Sequence, residues 1–271
     1  GAQVIRLESC GRTDYRNDSL YQNDINGEFW NRGANFYEHN RNKLGITLDL
    51  TKPQGLAILR NLISISDVFV ENFTPRAIKN FGLEYQNIRE TKPDIIMVSG
   101  SAIGKSGPDK KYVTYGSLLH AFSGLNDVTG YEGEEPGTLG GTFSDPVTGA
   151  TMALAILGAL WYRKRTGKGQ YIDLSMAETT MAQIPEFFMD YSVNGRLSGP
   201  QGNREEGSAP HNSYPCKDGE WLAIAVRNQQ EWEALCAAIG EPEWTKDPRF
   251  SDQYCRWNNR QELDKLIQAW T

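Results

Sequence analysis

Apolar positions recur along the chain in two rhythms. Short clusters read as strands: Val4–Leu7, Gly45–Leu50 (GITLDL), Asp67–Glu71 (DVFVE), Asp94–Ser99 (DIIMVS), Gln170–Leu174 and Trp221–Val226. Between them the spacing turns helical over Pro53–Ile65, Pro75–Phe81, Tyr85–Thr91, Thr114–Leu125, Gln230–Ile239 and finally Arg260–Trp270. Thr51 stands where an N-cap would precede the first of these, with Pro53 in its first turn. The strongest helical signal is Asp145–Arg165. It opens on Ser-Asp-Pro and closes on Arg-Lys-Arg-Thr-Gly, which suits the helix dipole, and Gly167 suits the C′ position. After Gln170–Leu174 a further helix is expected through Met189. Lys105–Lys111 and the Gly-rich, acidic stretch Asn126–Gly141 read as loops.

Strands alternating with helices predict parallel βαβ units and an α/β fold. After Asn194 the texture changes, and Gly195–Ala209 is the best boundary. Residues 1–194 then form a large domain, and 195–271 a linker and a smaller α/β domain. The first strand starts almost at once, and the last helical pattern carries no stop signal, so the chain reads as part of a longer protein.

Composition narrows the function classes. The chain has 271 residues, 39% hydrophobic and 11% aromatic, enough for a sizeable core. A net charge of −6 argues against a general nucleic-acid or membrane-surface binder. The longest apolar run, Met152–Trp161, is short beside the about 20 residues a bilayer requires. The four cysteines (Cys10, Cys216, Cys236, Cys255) form no C-x-x-C pair, and the three histidines lie far apart, so no structural metal site is expected. Scattered thiols without a signal peptide predict a cytoplasmic protein. No G-x-x-x-x-G-K-[ST], no G-x-G-x-x-G after a strand and no G-x-S-x-G occurs, which removes the usual marks of nucleotide hydrolysis, dinucleotide redox and serine hydrolase chemistry.

Several motifs carry candidate chemistry. Asp145, in Gly140-Gly141-Thr142-Phe143-Ser144-Asp145-Pro146, has two readings. One is a plain N-cap before proline. The other is a nucleophile: a helix front favours the ionised carboxylate, the paired glycines allow close approach, and a desolvated carboxylate attacks thioesters. Glu71–Gly82 (ENFTPRAIKNFG) follows a strand and opens a helix. It is either an ordinary βα turn or a ligand site at the carboxyl end of a strand. Arg41 and Lys43, and likewise Lys110 and Lys111, are either solubilising charge or phosphate contacts. His120 reads as a core histidine. His211 lies in an expected loop with no assignable role.

The order and spacing of GAQVIRLE, NRNKLGITLDLTKPQG, DVFVENFTPRAIKNFGLEY, KPDIIMVSGSAIGKSGP, SDPVTG and RTGKGQYIDLSMAE resemble the class III CoA-transferase family. The resemblance implies a Rossmann-like large domain, a smaller α/β second domain and an interlocked dimer. A homodimer is expected, with a heteromer of related subunits as the alternative. It places the catalytic aspartate on Asp145, and CoA contacts on Leu48, Asn72, Phe73, Ala77, Asn80 and Phe81; the family's basic positions fall on Asn80 and Ser9 here, so Lys52 and Lys79 are included as substitute phosphate contacts. Arg12 and Arg16 are further phosphate candidates. Tyr115, Gly140 and Gly141 fall at the substrate and oxyanion positions. The related α-methylacyl-CoA racemases pair the aspartate with a histidine, and that position here is Tyr115. Losing the second base favours transfer over racemisation.

The implied substrates are an acyl-CoA and a small carboxylic acid, with no permanently bound cofactor and no metal. In the mechanism the resemblance implies, Asp145 attacks the donor thioester to give a mixed anhydride and CoA thiolate. The thiolate then forms an aspartyl-CoA thioester, which the acceptor carboxylate captures. Alternatives are an acyl-CoA racemase or epimerase, and a non-catalytic CoA-binding partner subunit.

Overall fold

The computed structural model describes residues 1–9, 34–140 and 143–271. In chain order the elements are β1 (Val4–Glu8), α1 (Ala34–Asn40), β2 (Lys43–Thr47), α2 (Pro53–Ser64), β3 (Val68–Glu71), α3 (Pro75–Asn80), α4 (Tyr85–Thr91), β4 (Ile96–Ser101) and α5 (Gly116–Phe122). There follow α6 (Ser144–Thr166), β5 (Gln170–Ser175), α7 (Met176–Met181), α8 (Pro185–Asn194), β6 (His211–Pro215), β7 (Trp221–Ala225), α9 (Gln229–Ala238), α10 (Gln253–Asn258) and α11 (Arg260–Trp270). The fold is mixed α/β. The chain divides into two compact units: Gly1–Thr114 with Val147–Met176, and Tyr115–Pro146 with Ala177–Thr271.

The first unit holds the parallel strands. β1 pairs with β2, and β3, β4 and β5 form a sheet in that order. All six residues of β4 are buried, as a central parallel strand covered on both faces must be. The alternation of strand side chains divides the core between those faces. Ile95 and Met97 join Leu48, Leu59, Ile63, Ile78, Leu83 and Ile88 on one side. Ile96 and Val98 meet Ala159 on the other, with Met152, Ile156 and Leu160 of α6 around them. In α2 the buried residues Gly55, Leu59 and Ile63 recur at helical spacing. Gly55 must lack a side chain, because a Cβ there would lie 2.1 Å from the Asp49 carbonyl oxygen.

Helix α6 runs antiparallel to β4. Met152 covers Gly100 near the carboxyl end of the strand. At the other end Arg163 donates to the Asp67 and Asp94 carbonyls, at 3.2 and 3.3 Å, and pairs with the Asp67 carboxylate at 2.6 Å. The Val147 end of the helix therefore faces the carboxyl end of β4. Gly167 closes α6 at φ +72°, donating its N–H to Arg163 O at 2.8 Å, as its C′ position requires.

In the second unit β6 and β7 pair antiparallel. Ala209, Tyr214, Val226, Trp232, Phe250, Leu263 and Ile267 form its core. Asn228 and Asp252 cap α9 and α10, their side chains accepting from Glu231 N and Cys255 N. Arg256 is wholly buried, donating to the Ala209 and Phe250 carbonyls and to Gln229, with its guanidinium 4.9 Å from the Trp232 ring centroid. Among the described residues, no helix is long and apolar enough to cross a membrane.

Four local expectations are corrected. Lys52, not Thr51, occupies the N-cap of α2; Thr51 instead closes a turn, its N–H and Oγ1 both bonded to Asp49 Oδ1. The helix expected through Met189 is broken. Ile184 precedes Pro185 and leaves the helical region (φ −132°, ψ 47°), so α7 and α8 are separate. His211 starts β6 rather than lying in a loop. Asp145 is the second residue of α6, not its cap.

Candidate active site

The front of α6 is anchored from below. Ser144, its first residue, is wholly buried. Its backbone N–H, one of the donors a helix leaves unpaired, reaches Nε2 of His120 at 3.2 Å. Its Oγ accepts from Thr180 Oγ1 at 2.9 Å. His120 and Thr180 are buried too, and the imidazole meets the Phe143 ring edge to face at 6.3 Å. To accept that N–H, the Nε2 nitrogen must offer its lone pair, so the contact uses His120 as an acceptor. His120 is thus the core histidine the sequence suggested, with one specific task.

Asp145 follows directly. It is half-buried in the first turn, where free N–H groups and the dipole suit an anion. Among the described residues no ion pair claims its carboxylate. Gly140 is exposed, with nothing within 4 Å of where a Cβ would be. Gly141, Cys10, Arg12 and Arg16 lie outside the described residues. Tyr115 is the exposed N-cap residue of α5, five positions before His120 in the same unit.

The anchoring can be measured. His120→Ala leaves the buried Ser144 N–H unpaired, which should cost about 1–3 kcal/mol of stability. It should also loosen the start of α6. His120→Gln offers an oxygen near the Nε2 position and should recover most of the lost stability. Equal defects in the two variants would show that the contact with Ser144 is not what His120 contributes.

A second group of sequence-predicted residues gathers in the first unit, after β3. Thr74 caps α3 by accepting from Ala77 N at 3.3 Å. This folds the turn so that Phe73 and Phe81 meet edge to face at 5.8 Å. Asn72, Lys79 and Asn80 are exposed around this pair, and Ala77 is half-buried. Lys52 is exposed at the start of α2. Leu48 belongs to the core, its N–H bonded to Glu8 O at 3.0 Å. An exposed aromatic edge with amide and ammonium groups beside it suits a ligand that has both a flat ring and anionic groups.

What holds this turn has no local signature in the sequence. Glu71, at the end of β3, accepts from Phe73 N at 2.8 Å through Oε2 and pairs with Lys105 at 3.2 Å. Lys105 also donates to the Phe73 carbonyl. Its own N–H bonds both carboxylate oxygens of Asp173, at 2.8 and 3.1 Å. Both side chains of the pair are nearly out of solvent, at 9% for Lys105 and 1% for Glu71. Nothing in the loop pattern around Lys105 signalled this contact. Among the described residues, no group of three His, Cys, Asp or Glu side chains could hold a metal ion.

Comparison with known proteins defines the class. The model of CoA-transferase family III matches residues 1–271, and the chain belongs to that family. It is 32% identical over 272 residues to a succinyl-CoA–D-citramalate CoA-transferase of Chloroflexus aurantiacus, covering 100% of this chain and 66% of that protein. It is also 32% identical to the succinyl-CoA:glutarate CoA-transferase of Mus musculus, covering 99% of this chain and 60% of that one. The crystal structure of a CAIB/BAIF family protein from Brucella suis superposes with a TM-score of 0.82 at 30% identity, covering 100% of this chain and 71% of that chain. The chain thus spans under two thirds of the length of these two curated relatives.

Proposed function

We propose that this chain is the core of a CoA-transferase that moves CoA from an acyl-CoA to a carboxylic acid through a covalent intermediate on Asp145. The observation that carries the reading is the Asp145 carboxylate itself. It sits in the first turn of a helix anchored by His120 and Thr180, with no ion pair among the described residues. A carboxylate already neutralised by a cation would be a poor nucleophile.

Asp145 attacks the donor thioester carbonyl, the C–S bond breaks, and CoA thiolate leaves a mixed anhydride. The thiolate attacks the aspartyl carbonyl and expels the donor acid, giving the aspartyl-CoA thioester. The acceptor carboxylate attacks that thioester and releases the thiolate again. The thiolate then attacks the acceptor's carbonyl, forming acceptor-CoA and freeing Asp145. Holding CoA through its remote nucleotide keeps the thiolate in place between steps. Asn72, Phe73, Ala77, Lys79, Asn80 and Phe81, with Lys52 and the backbone at Leu48, are the CoA contacts in this reading. Tyr115, Gly140 and Gly141 serve the substrate and its oxyanions.

The names of the relatives favour succinyl-CoA as donor and a dicarboxylic acid as acceptor. The finer architecture in this reading is a Rossmann-like large domain, a smaller α/β domain and an interlocked homodimer in the cytoplasm. The dimer draws support from α6, where Leu154, Leu157 and Trp161 form a helical stripe 71, 64 and 62% exposed. Among the described residues the thiols of Cys216, Cys236 and Cys255 are free.

The test is exchange by the full protein between succinyl-CoA and a panel of dicarboxylic acids in heavy water. Acceptor-CoA should form with no deuterium at the α-carbon of the acyl group. Deuterium uptake without exchange would assign a racemase. CoA binding with neither reaction would leave a partner subunit.

A further inference from the structure

The exposed turn after β3 is held in a way its sequence does not suggest. Phe73 offers two backbone groups, and a single buried ion pair takes both. Glu71 Oε2 accepts the Phe73 N–H, and Lys105 Nζ donates to the Phe73 carbonyl. The two side chains also bond each other, with Nζ 3.2 Å from each carboxylate oxygen. Lys105 is fixed in turn through its main chain. Gly104 adopts φ +88°, which turns the chain so that the Lys105 N–H meets the Asp173 carboxylate of β5. The arrangement links the carboxyl end of β3, the loop after β4 and the middle of β5, all within the first unit.

This assigns the charge of Lys105. A lysine in a Gly/Ser/Pro loop at the carboxyl ends of parallel strands looks like a phosphate ligand. Here its side chain is 9% exposed and its ammonium is engaged by a carboxylate and a carbonyl, so it has little left to offer a ligand. Its effect on any ligand must pass through Phe73.

We propose that Lys105, together with Glu71, is a positioning residue for the CoA-binding turn: it sets the backbone of Phe73, and thereby the Phe73–Phe81 edge and the neighbouring Asn72, for the nucleotide end of CoA. The proposal rests on the CoA-transferase reading for the identity of the ligand. Pre-fixing the turn lowers the ordering cost that binding otherwise carries, so the effect belongs to CoA affinity and not to the chemical step.

The test compares two variants of the full protein with the wild type. Lys105→Met removes the donor to Phe73 and leaves a buried carboxylate uncompensated. The double variant Glu71→Gln/Lys105→Met removes both charges but keeps an acceptor for the Phe73 N–H, so it should fold even if the single variant does not. CoA binding is measured by calorimetry, and exchange is followed as acyl-CoA is varied at saturating acceptor. In the double variant the Kd for CoA and the KM for acyl-CoA should both rise, by roughly tenfold, with kcat and the acceptor KM within about twofold of wild type.

An unchanged Kd and KM in a folded double variant would overturn the proposal, as would a loss confined to kcat. The two readings fail separately. A wild-type protein that binds CoA without exchange, and whose double variant binds it more weakly, keeps this proposal and loses the transferase. Normal exchange with unaltered CoA affinity in the variant does the reverse.

Discussion

Asp145→Ala should abolish CoA exchange, by about 10⁴-fold or more, as loss of a covalent nucleophile does. CoA should still bind within a few-fold of wild type. The side chain lies in the first turn of α6, and the residues that fix that turn, Ser144, His120 and Thr180, are untouched by the change. The fold should survive. What is lost is a favourable charge at a helix front, worth about 0.3–1 kcal/mol on an exposed surface. Asp145→Asn should fail as completely, because an amide of the same shape cannot form the anhydride. Exchange rates and CoA calorimetry on both variants check this. Residual exchange within tenfold of wild type in either would mean that the thioester is attacked by another group.

Phe250→Ala should be the most damaging single truncation in the second unit. The ring is fully buried, and Trp232 and Trp244 lie against it with centroids 6.5 and 6.3 Å away. Removing it deletes a large apolar surface and leaves a void that two stiff indoles cannot readily fill. The expected cost is about 3–5 kcal/mol, set against a typical whole-protein stability of about 5–15 kcal/mol. The Phe250 carbonyl also accepts from the buried Arg256, so a collapsing backbone would strand a guanidinium that has few other partners. Denaturant unfolding should show the loss as a lower midpoint, with the first unit's transition less affected. A shift below about 1 kcal/mol would show that the cluster repacks freely.

The elements of the first unit were largely legible because local pattern and tertiary role agree there. DVFVE and DIIMVS become β3 and β4, and the Ile-Ile-Met-Val run reads as fully buried because both faces of β4 are covered. The long helix announced itself through its charge asymmetry and Gly167. Elements without an apolar rhythm were missed. α1 (ANFYEHN) and β6 (HNSYP) carry mostly polar residues, and β6 is defined by its pairing with β7. The break between α7 and α8 was written in Pro185, which the helical reading ran through.

The candidate site divides along the same line. Asp145 and the turn Asn72–Phe81 could be picked out because the chemistry they suggest resides in local motifs. The groups that hold them could not. His120 reaches Ser144 across 24 residues of sequence, and Lys105 reaches Glu71 across 34. Such contacts exist only once the fold brings distant segments together. A lysine in a polar loop and a histidine on an apolar helix face give no local sign of them.

The most direct test of the central claim is mass spectrometry of the protein after incubation with acyl-CoA and quenching with hydroxylamine. A hydroxamate is expected on the peptide that carries Asp145, absent when acyl-CoA is omitted and absent in Asp145→Ala. An unmodified Asp145 peptide under conditions where exchange proceeds, or a hydroxamate on a different carboxylate, would contradict it.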